Sequence, residues 1–158
     1  MASPKETYDQ RLARFVALTK AADPVLIPAI QDGVEEAPHL IAFGKQCREL
    51  AEQAEGPMRR VASLKQLESD YLVYWNEASG KHIDHFWKAV EALDIGFERR
   101  DHLAEILAKG RILNRQEYEI ATDSLVGAEQ EGRITAAQSS FIARLIGEYE
   151  TRKANKKS

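Results

Sequence analysis

The sequence predicts a mainly α protein, a single-domain helical bundle of about six to seven helices whose C-terminal third repeats a helix, Gly-Arg-Ile turn, helix unit. Three observations lead there. Apolar residues recur at three- and four-residue steps through most of the chain. Pro and Gly are sparse, 5 and 9 in 158 residues, and most of them fall between those stretches. Gly110-Arg111-Ile112 returns as Gly132-Arg133-Ile134. A 44% hydrophobic content fits one domain over 1–153, with 6–100 the N-terminal and central helices and 101–153 the repeated unit; a disordered tail is expected at 154–158.

The first helix is expected over about 6–22, where Tyr8, Leu12, Phe15, Val16 and Thr19 share a face. Asp23-Pro24 should stop it, because proline disfavours helical geometry in the residue before it. Pro28, Gly33 and Pro38 then mark 23–37 as a loop with at most one turn. A second helix over 39–55 carries Leu40, Phe43, Cys47, Leu50, Ala51 and Ala54 on one stripe, and Gly56-Pro57 ends it. Residues 58–77 read as a third helix. Its Tyr71-Leu72-Val73-Tyr74-Trp75 run is rich in strand formers, which leaves room for one short strand pair.

Ser79 is the expected N-cap of a fourth helix over 81–94, with Ile83, Phe86, Trp87, Val90 and Leu93 as its stripe. Ile95 to Arg100 alternates like an extended link. Asp101 caps a fifth helix through Leu103, Ile106 and Leu107, ending at Gly110.

The repeat then sets the last two helices, about 115–131 and 136–152. At the same offset of 22 residues, Gln116 matches Gln138, Ile120 matches Ile142 and Ala121 matches Ala143. Each copy supplies a glycine free to adopt a left-handed conformation, an arginine, a core-directed isoleucine and a new N-cap, Asn114 or Thr135. Thr135-Ala136-Ala137-Gln138 has capping-box spacing. The two glycines are expected to share a backbone conformation, and the two isoleucines a packing position.

Residues Gly110-Arg111-Ile112 to Glu117-Tyr118 resemble the glycine, isoleucine, acidic-aromatic signature of the short C-terminal helical hairpins called SHOCT domains, over about a dozen residues. The first copy differs in having Leu113-Asn114 where a threonine cap is usual. The resemblance implies an interaction or oligomerisation element rather than an active site.

Charge restricts the function classes. The net charge is −3, and no segment is a basic block: basic and acidic residues number 6 and 9 over 1–56, 8 and 9 over 57–110, and 8 and 7 over 111–158. A nucleic-acid binder draws on clustered cations, so this balance argues against that role; a helix–turn–helix reading of 101–152 would use Arg99, Arg100, Arg111, Arg115 and Arg133. No apolar run approaches the roughly 20 residues that span a bilayer, and Met1 to Glu6 lacks the apolar core of a signal peptide. A lone Cys47 offers no internal disulfide. The expectation is a soluble cytoplasmic protein with no membrane partner.

Chemistry-bearing motifs are scarce. His82-Ile83-Asp84-His85 puts two imidazoles on one helix flank, compatible with shared metal ligation but without an indicated third ligand. His39 and His102 lie at helix starts, and Cys47 lies on an apolar stripe, where a thiol behaves as a small hydrophobe with a raised pKa. The carboxylates Glu117, Glu119, Asp123, Glu129 and Glu131 suit a solvated helix face. Calcium fails on its ligands. With Gly132 at the sixth position of an EF-hand loop, Gly127 falls first and Gln138 twelfth; with Gly110 there, Gln116 falls twelfth.

No phosphate-cradling loop, nucleophile elbow, His-Glu-x-x-His helix or Cys-x-x-Cys pair is present, and no cofactor is indicated. The reading is therefore a non-catalytic helical module that binds another protein, or a second copy of itself. The alternative is a small metal- or ligand-binding enzyme using His82 and His85. Tyr71, Tyr74, Trp75, Phe86 and Trp87 crowd into 17 positions. The junction of Tyr74, Trp75, Asn76, Glu77, Lys81 and His85 is accordingly the expected partner or ligand surface.

Overall fold

The computed structural model describes residues 5–157, with side chains through 156. Those residues form seven α-helices and no strand: α1 Tyr8–Gln31, α2 Ala37–Gln53, α3 Val61–Glu77, α4 Lys81–Leu93, α5 His102–Lys109, α6 Arg115–Gln130 and α7 Ala136–Lys157. A 3-10 turn, Gly56–Met58, joins α2 to α3. The chain divides into two compact units, Met1–Arg99 and Arg100–Ser158, and its buried residues form two clusters, one in each.

In the first unit α1 packs against α2, α3 and α4, and α2 packs against α3. Thr7 opens α1 with a capping box: its hydroxyl accepts from Gln10 N at 3.2 Å and its N–H donates to Gln10 Oε1 at 2.9 Å. The helix then runs through Pro24 and Pro28, where a loop is expected from sequence. A mid-helix proline removes one backbone hydrogen bond, but the chain beyond Pro24 still buries Leu26 and Ala29 in the core, and that burial offsets the loss. The helix closes at Gly33 (φ +86°), with Val34 N donating back to Ala29 O at 3.0 Å.

The Tyr71–Trp75 run lies inside α3 and is helical, so the strand pair does not form among the described residues. The cap of α4 is Gly80 (φ +136°) rather than Ser79, with no side-chain cap bond. Arg11 holds α1 to α3 through two bonds of 2.7 Å to Glu68, a buried carboxylate that needs such pairing to leave water. Arg14 binds Glu6 and donates to Ile95 O at 2.8 Å, tying the 95–99 link to α1.

In the second unit α6 packs on α7, and α5 on both. The sequence-expected caps form: Asp101 accepts from Ala104 N at 3.0 Å and Asn114 from Glu117 N at 2.9 Å, while Thr135 and Gln138 exchange bonds of 3.1 and 2.9 Å. Gly110 and Gly132 have φ +70° and +75°, and Ile112 and Ile134 are both buried in this unit's core. Their closing bonds differ. Gly110 N donates to Ile106 O at 2.8 Å, whereas after α6 the bond to Ala128 O comes from Arg133 N at 2.9 Å. Helix α7 continues to Lys157, so 154–157 is helical where a tail is expected, and Ser158 lies outside the described residues.

Candidate functional site

The aromatic junction between α3 and α4 is packed. Trp75 and Phe86 are both fully buried, stacked with centroids 3.9 Å apart, and Trp87 Nε1 donates to Trp75 O at 2.8 Å. Asn76 is buried, Tyr74 and Glu77 are half-buried, and Lys81 and His85 are exposed on α4. Arg99 donates to Asn76 O and Ala78 O, closing the C-terminal end of α3. The six residues expected to present a surface thus divide between core and solvent.

His82 and His85 have different surroundings. The ring Nε2 of His82 sits 2.8 Å from the Tyr74 hydroxyl, its ring is edge-on to Trp75, and His85 is exposed. Burial lowers the His82 pKa, against the pull of Glu36 and Asp84. Among the described residues no group of three or more His, Cys, Asp and Glu is placed to hold a metal ion. Cys47 is buried on α2, where burial raises its thiol pKa to about 11.

Four of the five arginines of the nucleic-acid reading have their surroundings fixed within the second unit. Arg99 belongs to the first unit and the others to the second. Arg100 pairs with Glu105 at 2.8 Å, Arg115 with Glu119 at 2.9 Å and Arg133 with Glu131 at 2.9 Å, while Arg111 is exposed.

What sequence reasoning missed is an apolar groove in the first unit. It has a volume of about 520 Å³ and lies between the C-terminal end of α2 and the first half of α3, with Tyr8 of α1 on one side. Its floor is Ala51 and Leu64, both buried, and Leu67 lines it further. Leu50 and Met58 stand at its edge with 57% and 63% of their surface exposed. Leu50 shares the apolar stripe of Cys47 and Ala51 and so reads as core; the stripe wraps too far round α2 for all of it to be covered. The signal available in sequence was Met58 directly after the Gly56-Pro57 stop.

The polar frame of the groove is fixed from within. Tyr8 donates to Ala51 O at 2.6 Å. Arg59 lies over the Tyr8 ring at 4.6 Å, pairs with Asp9 at 2.6 Å and donates to the Ala54 carbonyl at 3.2 Å. The ionisable acids lining the groove are Glu55 and Asp70. A second cavity, in the other unit between α6 and α7, differs in kind: Tyr118 and Tyr149 stack at 5.0 Å, and Arg115, Lys153, Glu119 and Glu150 balance one another around it.

No family model matches the chain, and neither a curated protein nor a solved structure matches it. Among the described residues no helix is long and apolar enough to cross a membrane.

Proposed function

We propose that this chain is a non-catalytic helical module that works by binding another protein, as a regulator, an inhibitor or an assembly adaptor. The observation that carries the reading is the apolar groove edged by Leu50 and Met58. Contiguous exposed apolar surface rimmed by polar residues is a feature of protein-binding sites. Covering two such half-exposed side chains contributes about 1 kcal/mol each, a useful fraction of a micromolar affinity. The groove lies between two helices, the geometry in which an amphipathic helix is commonly received.

The test compares the full-length protein with a Leu50→Asp/Met58→Asp variant as bait in an extract of its source cells, alongside size-exclusion chromatography with light scattering. Both positions are exposed, so the variant should keep its helical circular dichroism. A partner, or a second copy, retained by the wild type and lost from the variant is the expected result. An identical retained set for both baits, together with a strict monomer, overturns the reading.

A further inference from the structure

We infer that the groove of the first unit receives an amphipathic helix of a partner protein carrying lysine or arginine at both ends of its apolar stripe. The inference rests on the interaction reading above and adds the chemistry of the partner. Its length comes from α3: Ser63, Leu67 and Asp70 line the groove over seven residues, about 10 Å or two helical turns. An occupant of matching length places apolar residues at i, i+3 or i+4, and i+7 over Leu50, Leu64 and Leu67.

The charge comes from the ends. Glu55 stands at the turn after α2, and Asp70 lies two turns along α3 from Ser63. No lysine, arginine or histidine is among the lining residues; Arg59 and Arg60 stand at the Glu55 end, where Arg60 donates to the Ser63 hydroxyl at 3.2 Å. Asp70 accepts a hydrogen bond from Gln66 at 2.9 Å, and among the described residues no ion pair engages either carboxylate. The C-terminal end of α2 adds to the same field through exposed Glu49 and Glu52, while the partial negative charge of its last carbonyls is offset in part by Arg59, which donates to Glu52 O at 3.5 Å and Ala54 O at 3.2 Å. Arg59 shows what this end of the groove accepts, since its guanidinium stacks on Tyr8 and donates to the Ala54 carbonyl; its pairing with Asp9 leaves Glu55 and Asp70 for a cation from outside. The same acids disfavour an anionic lipid surface as the occupant.

The experiment pans a displayed library of helices of about four turns against the full-length protein. Each member carries Leu, Ile or Met at the three stripe positions and randomised residues flanking them. Enriched sequences should carry basic flanks and should bind about ten-fold tighter by fluorescence anisotropy than copies with those residues changed to Glu. The preference should shrink at raised salt and in a Glu55→Gln/Asp70→Asn variant, while Leu50→Asp should abolish binding altogether. Neutral or acidic flanks, a charge preference indifferent to Glu55 and Asp70, or no Leu50-dependent enrichment overturns the inference. If the bait experiment meanwhile yields a Leu50-dependent partner, the interaction reading stands and this inference alone falls. If the baits retain identical sets and only monomer is seen, the reading itself falls.

Discussion

His82 occupies the second position of α4 and its Nε2 is hydrogen-bonded with the Tyr74 hydroxyl, so one histidine of the expected metal pair is engaged inside the fold. Sequence spacing pairs His82 with His85 but could not say that Tyr74, eight residues back, reaches the first of them. Burial holds the ring's pKa below its ordinary value of 6.5, outweighing the attraction of Glu36 and Asp84 for a proton. The folded protein therefore prefers the neutral ring. Above pH 6.5 that preference costs nothing; as pH falls through 6.5 towards the folded pKa, the unfolded chain takes up the proton first and stability is lost. Urea midpoints should drop across this window in the wild type and drop less in His82→Gln, while an NMR titration should place the ring below 6.5. A ring that titrates above that value would refute the account. Cys47, by contrast, was legible from its place on a stripe, and its buried, poorly acidic thiol follows from that place.

At the scale of elements, helix existence and most starts were legible, because caps and periodicity are local. Asp101, Asn114 and Thr135 cap where their residue types and spacings say they should. The failure is α1, which continues through Pro24 and Pro28. Proline's penalty is local and visible in sequence, while its compensation, Leu26 and Ala29 buried in the first unit's core, depends on a tertiary surface that no window along the chain contains. Pro24 itself is exposed, so Pro24→Ala removes the penalty without losing packing. The substitution should raise the denaturant midpoint by about 1–3 kcal/mol of stability, the range set by the cost of an interior proline. A lowered midpoint would mean that the proline geometry is itself needed to seat α1 on α2.

At the scale of the whole molecule, Phe86 and Trp75 anchor one cluster of buried residues, and Ile112, Ile142 and Leu145 another. Removing core atoms should loosen the cluster that holds them. Ile142→Ala, a fully buried truncation of the kind that costs about 2–5 kcal/mol, should speed amide hydrogen exchange through α5, α6 and α7 while leaving the protection of α1 to α4 unchanged. Faster exchange in both units would show that they unfold together. The sequence by itself determined that the chain is helical, where most helices begin and which faces are apolar, since these follow from periodicity and capping over a few residues. It also limited the chemistry, offering no nucleophile elbow, phosphate loop or calcium ligand set. Only the tertiary structure decided that α1 outlasts its prolines, that the aromatic junction fills the core, and that Leu50 and Met58 are left at the edge of an acidic-ended groove. The physical reason is that an apolar stripe specifies a face needing cover, whereas the neighbouring helices decide how much of that face is covered.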